Sequence, residues 1–296
     1  MVNEFPTLKL LIGVPGSGKS TYCENYQKEH PNSIWISSDK VRGLLLGNEN
    51  DQSQNERIFE EMFRRTLDSL NQGYTVLYDA TNVVRKRRVE LLNKLPAYVV
   101  KEAIVCWAPV ELCVERDTNR DRTVGYSVID KMLKNFQAPY FDEGFDRIYI
   151  VRNVEDYENT YAKTFVRDYL QIDIEQDNFH HRLSLQGHMI AAMNYIRNKG
   201  IVDNQIELAA RLHDIGKLKT KTFQNTKGEK TDTAHYYGHQ GYGAWMSYGC
   251  KDITNRVAWL ISTHMEPYFN SKYYRNLPEF LKSQINLIHE ADVAAH

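Results

Sequence analysis

Apolar positions in the first half of the chain come in short unbroken runs. TLKLLIGV at residues 7–14 ends in Gly and Pro, and similar runs recur at Ser33–Ile36, Tyr74–Asp79, Tyr98–Cys106 and Ile148–Val151. Runs this short, without alternation, predict strands buried on both faces of a sheet. Between them lie stretches of helical spacing: Lys19–Glu29, several turns up to about Asn71, a basic segment from Arg85, and Pro109–Asp117. Strands alternating with helices predict a parallel sheet with crossover connections, an α/β domain. After residue 152 the pattern changes. Residues 153–170 read as a helix and 171–179 as a polar connector. Helical periodicity then returns at 187–198, 204–214, 237–249, 253–262 and 277–292, with no alternating strand. The expected organisation is an α/β domain over 1–152, a helical linker over 153–178 and an all-α domain over 179–296.

Length and composition agree with two domains. The chain has 296 residues, of which 42% are hydrophobic and 25% charged, enough to build cores and to exclude general disorder. A net charge of −1 argues against coating nucleic acid or membrane through bulk charge. No apolar run approaches membrane length, and the amino-terminal residues lead straight into a strand, so neither a span nor a signal peptide is expected. Cys23, Cys106, Cys113 and Cys250 show no paired spacing, which suits free thiols in a cytoplasmic protein. Of ten histidines only His30 precedes residue 180. Imidazole chemistry therefore belongs to the second domain.

Residues 13–21 read GVPGSGKST. Gly13, Gly16 and Gly18 let backbone N–H groups turn inward around phosphates at the positive end of the next helix. In this pattern Lys19 reaches the β- and γ-phosphates of ATP or another nucleoside triphosphate, Ser20 ligates Mg²⁺, and Thr21 completes the loop. The second strand runs into SSDKVR, which places Asp39 and Arg42 on one face of a helix starting at Ser38. A carboxylate there can accept the proton of an attacking hydroxyl, and the arginine can grip an anionic group on the acceptor. The same pair also fits a helix cap with a surface ion pair. Asp79 ends the third strand, in YDATN, at the strand edge where open α/β sheets place their sites; there it can orient Arg42 or a Mg²⁺-bound water. Arg116, Arg120 and Arg122 cluster in ERDTNRDR, either as a lid over transferring phosphates or as a solvated basic surface. The RKRR run at 85–88 reads as a solvated face.

GVPGSGKST, SSDKVR, DATN and RDTNRDR together resemble the kinase domain of phage-type 5′-hydroxyl polynucleotide kinases over residues 8–151. The resemblance implies that Asp39 is the general base, that Arg42 meets the acceptor nucleotide's phosphate, and that Arg120 is the lid arginine on the donor phosphates. The DxDGT phosphatase motif that accompanies this kinase in phage enzymes is absent from the chain.

His213 and Asp214 lie in LHDIGK. A His-Asp pair alone carries little, but His188, His239, His264 and Asp292 follow the same helical stretches, and neutral imidazoles with carboxylates are what a divalent transition metal needs. The order H…HD…H…H…D resembles the HD phosphohydrolase superfamily over residues 179–296. That resemblance implies one metal on His188, His213, Asp214 and Asp292, and a second on His239 and His264 with Asp214 bridging, the ions being Mn²⁺, Co²⁺, Ni²⁺, Fe²⁺ or Zn²⁺. It also makes Asp214 central to in-line attack by a metal-activated water. His180, His181 and His235 suit phosphate contacts or support of the ligands, His289 a structural place, and Lys217, Lys219 and Lys221 a basic rim.

A 5′-hydroxyl kinase joined to an HD phosphoesterase resembles a nucleic-acid end-healing enzyme. Its substrates would be RNA or DNA ends with 5′-OH and 2′,3′-cyclic phosphate or 2′/3′-phosphate, and a separate ligase would join the products. Two other readings use the same residues: a small-molecule kinase joined to an HD nucleotidase, and a non-catalytic, nucleotide-gated end-binding protein.

Overall fold

The computed structural model describes residues 5–120, 122–157, 162, 166–178 and 182–296. The chain divides into two compact units: residues 1–129 with 139–153, and residues 130–138 with 154–296. The expected boundary at 152 is therefore crossed by residues 130–138. Leu133 and Phe136 are buried, and Phe136 stands edge-on to Trp245 and Tyr248 of the second unit. Aromatic packing of this kind outweighs sequence position.

In the first unit five strands form one parallel sheet: β1 (Thr7–Ile12), β2 (Ser33–Ser37), β3 (Thr75–Asp79), β4 (Val100–Trp107) and β5 (Arg147–Arg152). Their order is β2-β3-β1-β4-β5. Helices α1 (Lys19–Glu29), α2 (Ser38–Leu46), α3 (Asn55–Asn71), α4 (Arg85–Leu92) and α5 (Val110–Thr118) make the crossovers, and the second half of α6 (Tyr126–Lys134) belongs to the 130–138 segment. Leu10, Leu11, Ile12, Val76, Leu77, Ile104 and Val105 are buried, as strands covered on both sides require. Cys23 and Cys106 sit in this core as free thiols, and burial pushes Cys106 up to about 12, so neither is reactive. Because every strand runs the same way, the residues after β1, β2 and β3 gather at one edge.

The RKRR face is not wholly solvated. Arg88 is fully buried, its guanidinium doubly bonded to Glu143 at 2.6 and 2.7 Å, and Arg85 binds Asp142 at 2.8 Å. Arg85 and Arg88 are three residues apart on α4 and share its inner face, while Lys86 and Arg87 are exposed.

The second unit is mainly helical: α7 (Leu185–Asn198), α8 (Asn204–Leu212), α9 (His239–Ser247), α10 (Asn255–Thr263) and α11 (Glu279–Ala294). It also holds an antiparallel hairpin, β6 (Thr222–Gln224) with β7 (Lys230–His235), which corrects the expectation of helices alone. The hairpin is mostly exposed, so no core-facing alternation marks it. Its turn signal was present: Asn225 accepts from the amides of Lys227 and Glu229, and Gly228 takes a left-handed φ of 83°. Of the expected 153–170 helix, the described part includes one helical turn, Val166–Leu170; residues 158–161 and 163–165 lie outside the described residues. No helix among the described residues is long and apolar enough to cross a membrane.

Candidate functional site

The loop between β1 and α1 turns through left-handed Gly16 (φ 77°) and Gly18 (φ 92°). A side chain on Gly16 would strike the backbone carbonyl of Cys113, and one on Gly18 the side chain of Asn153. The amide of Gly13 donates to Thr81 O at 2.9 Å, and Asn82 Nδ2 donates to Leu11 O at 2.7 Å, so the tip of β3 braces the loop. On its other flank Asn153 Nδ2 donates to Ser17 O at 2.8 Å, while Arg116 donates to Asn153 O at 3.0 Å. Lys19 Nζ donates to the carbonyls of Gly13 (3.0 Å) and Val14 (2.9 Å). Ser20 and Thr21 lie exposed on the first turn of α1. The loop's geometry is that of an anion cradle at a helix N-terminus.

Asp39 lies in the first turn of α2 with about half its side chain exposed. Two arginines share its Oδ1: Arg42 Nη1 at 2.9 Å and Arg122 Nη1 at 2.6 Å. Arg42 is buried, and its Nη2 donates to Asn55 Oδ1 at 3.0 Å. Asn55, not Asp79, thus orients Arg42. Asp79 faces Ser37 in register across β2 and β3 and accepts from Trp35 Nε1 at 3.0 Å. Burial pushes its carboxyl up, opposed by Lys19 and the Trp35 hydrogen bond. Arg120, expected over the donor phosphates, keeps about half its side chain exposed and pairs with Asp117 at 2.5 Å. Asp117 also accepts from the amides of Val124 (3.0 Å) and Gly125 (2.9 Å) and so ties down the turn that delivers Arg122. Asn55, Asn153, Trp35 and Asp117 were not singled out from sequence; their roles depend on partners far away in the chain or on ordinary surface residue types.

In the second unit the histidines and aspartates converge. His188 Nε2 lies 3.0 Å from Asp292 Oδ1, 3.1 Å from His213 Nε2 and 3.3 Å from Asp214 Oδ2. His239 Nε2 lies 3.2 Å from both His264 Nε2 and Asp214 Oδ1. Asp214 therefore offers Oδ2 to the first group and Oδ1 to the second. On the other side of each ring, Nδ1 meets a backbone carbonyl: Ala210 for His213 (2.8 Å), Tyr236 for His239 (2.8 Å), Ile261 for His264 (2.7 Å) and Ala295 for His188 (3.3 Å). A carbonyl accepts only, so Nδ1 carries the hydrogen and Nε2 presents a lone pair inward. Two lone pairs facing at 3.1 Å repel unless a positive charge lies between them. Spacings of 3.0–3.5 Å match neighbouring ligands around a cation bonded at about 2.0–2.2 Å. The residues fit two cations that share Asp214.

Burial and the neighbouring charges set the electrostatics. Burial opposes charge on His213, yet Asp214 and Asp292 push it up to about 10. Burial drives His264 down to about 3, with His213 and His239 adding to the effect. Asp214 is held well below the usual range by Lys217 and His213, and Asp292 by hydrogen bonds with His188 and His213, although burial opposes both. Lys217 is buried, not on a rim, with Nζ 2.6 Å from Asp214 Oδ2 and 2.9 Å from Gln176 Oε1. Lys221 binds Asp177, and Lys219 sits over the Tyr169 ring. His235 stacks on Tyr237 at 5.3 Å, and His289 is half-buried on α11. His180 and His181 lie outside the described residues.

The chain is similar to known proteins over about half of its length. Transcription factor bHLH140 of Arabidopsis thaliana is 30% identical over 158 residues, which cover 51% of this chain and 16% of that protein. A chain of the Pnkp1/Rnl/Hen1 RNA repair complex is 28% identical with a TM-score of 0.41, over 48% of this chain and 47% of that one. A gluconokinase from Sinorhizobium meliloti 1021 is 19% identical with a TM-score of 0.37, over 51% and 85%. The chain thus spans about half the length of the repair-complex chain and a far smaller share of the plant protein. A family model described as an AAA domain matches residues 8–139. That stretch, less than half of the chain, holds the phosphate loop, Asp39, Arg42, Asp79 and the 116–122 arginines.

Proposed function

We propose that the chain is a nucleic-acid end-healing enzyme with two activities. The first unit phosphorylates 5′-OH ends with ATP, and the second hydrolyses 2′,3′-cyclic phosphate or terminal 2′/3′-phosphate. The observation that carries the kinase half is Asp39, a half-exposed carboxylate beside the loop edge with two arginines on one oxygen. Its free oxygen takes the proton of the 5′-hydroxyl as that oxygen bonds to the γ-phosphorus and ADP leaves. The loop amides and Lys19 hold the donor phosphates, and Ser20 would hold Mg²⁺ with phosphate oxygens. Arg42 grips the phosphate on the 3′ side of the acceptor nucleotide, and Arg122, Arg116 and Arg120 line the lid.

The second half rests on Asp214, which gives one oxygen to each histidine group. His188, His213, Asp214 and Asp292 would hold one divalent transition cation, and His239, His264 and Asp214 another. Cations held there supply Lewis-acid polarisation of a phosphate ester and a lowered pKa for water. The backbone carbonyls fix each imidazole's tautomer, and Lys217 offsets the charge of Asp214 from the side of Oδ2, the oxygen given to the first group. RNA or DNA ends are the substrates, and a separate ligase would join the products.

The test is to incubate an oligonucleotide bearing 5′-OH and 2′,3′-cyclic phosphate with ATP, Mg²⁺ and Mn²⁺, then weigh both ends by mass spectrometry. The expected product gains a 5′-phosphate and loses the cyclic phosphate. Equal phosphorylation of a free nucleoside and its 3′-phosphate would favour a small-molecule kinase instead.

A further inference from the structure

Over the carboxyl end of β3, between α3 and α4, lies a cavity of about 400 Å³. That volume falls within the roughly 300–1,000 Å³ common for small-ligand sites. Lys19, Asp39 and Arg42 do not line it, yet two of its walls adjoin residues that contact the phosphate loop and Arg42. Ala80 and Thr81 follow Asp79 directly, and Thr81 accepts the Gly13 amide of the phosphate loop. Glu56 follows Asn55, the residue that binds Arg42.

The lining has a definite chemical character. Phe59 and Phe63, one helical turn apart on α3, supply ring walls, and Lys94 Nζ lies 5.7 Å from the Phe63 centroid. Glu56, Glu60 and Glu90 stand against Arg87 and Lys94, three carboxylates to two cations. Such a balance does not attract a phosphate. It suits a flat, neutral ring with N–H donors, which can stack on an aromatic wall and donate to a carboxylate.

We infer that this cavity holds the base of the acceptor nucleotide whose 5′-hydroxyl is attacked, and that it selects bases with a donor edge. Guanine, with adjacent N1–H and N2–H donors, fits a carboxylate best; uracil, with one ring donor, fits less well. This inference rests on the kinase reading and adds a preference for the first base of the acceptor.

The test uses the full chain with ATP and 5′-OH oligoribonucleotides that differ only at the first nucleotide: guanosine, uridine or an abasic sugar. The wild type should show the lowest KM for guanosine and a KM about ten-fold higher for the abasic end, as loss of one stacked base requires. Phe59→Ala and Phe63→Ala should raise KM for guanosine towards the abasic value without changing KM for ATP, and should add nothing further on the abasic end. Glu60→Gln, at an exposed position that does not endanger folding, should shrink the guanosine-over-uridine preference. Phosphorylation of all three ends with one KM overturns the inference and leaves the kinase reading standing. Failure to phosphorylate any end, with ATP still bound, overturns both.

Discussion

Arg88 and Glu143 form a buried, doubly bonded ion pair, and Arg88 Nη1 also donates to the carbonyl of Asn82 at 2.9 Å. Asn82 holds a left-handed backbone (φ 48°) while its side chain reaches Leu11 O. The pair therefore props the DATN turn from below. Removing one partner strands the other charge in the core. Glu143→Ala should cost about 3–5 kcal/mol of unfolding free energy, read by urea denaturation. Arg88→Met combined with Glu143→Gln should recover much of that loss. If Glu143→Ala unfolds at the wild-type midpoint, the prop is unimportant.

Arg122, not Arg120, touches Asp39. Arg122→Ala should lower 5′-kinase turnover by about ten- to a hundred-fold, the worth of one charge-assisted contact of roughly 1.5–3 kcal/mol. Arg120→Ala should cost less in kcat, since its partner is Asp117. Steady-state kinetics of the two variants check this, and the reverse ranking would make Arg120 the more important of the two lid arginines.

Acid should loosen the lid turn first. Burial alone would raise the Asp117 carboxyl, but the Gly125 amide, the Arg120 guanidinium and the Val124 amide outweigh it and hold the group below its ordinary value. A depressed carboxyl adds stability that is complete above the unfolded pKa of about 4 and is lost as pH falls through the folded value. Asp117→Asn should therefore flatten the acid limb of stability against pH. Hydrogen exchange at the Val124 and Gly125 amides, which should speed up on acidification in the wild type, reads the same event locally.

Metal loading should follow the sharing of Asp214. Metal analysis after dialysis against Mn²⁺ should find about two ions per wild-type chain, one in His264→Ala and close to none in Asp214→Ala. Two ions retained by His264→Ala would refute the second group.

The two activities should separate by mutation. Asp39→Asn should abolish phosphorylation and spare the phosphoesterase, and Asp214→Ala should do the reverse. A folded Asp39→Asn protein that has lost both would break the assignment of one chemistry to each unit.

What sequence alone made legible follows from where each signal lies. Strands buried on both faces write themselves as runs such as TLKLLIGV, and the phosphate loop needs only neighbours in sequence. The metal-type cluster was readable because imidazoles and carboxylates are rare in one order. Partners distant in the chain were not readable. Nothing in RKRR says that Arg88 meets Glu143, 55 residues on, or that Asn55 turns Arg42 towards Asp39. Lys217 looked like a surface lysine because its burial depends on Gln176, in the connector before α7. The 130–138 segment kept its strand-and-helix context while packing elsewhere.

Three of the four imidazoles in the cluster are locked by the carbonyl three residues earlier in their own chain segment: Ala210, Tyr236 and Ile261. The main chain thus fixes which way these three rings face and which nitrogen meets a carbonyl. A cation entering the cluster would meet rings already oriented. The fit of any such ion would then rest on its size and preferred geometry more than on rotation of these three rings.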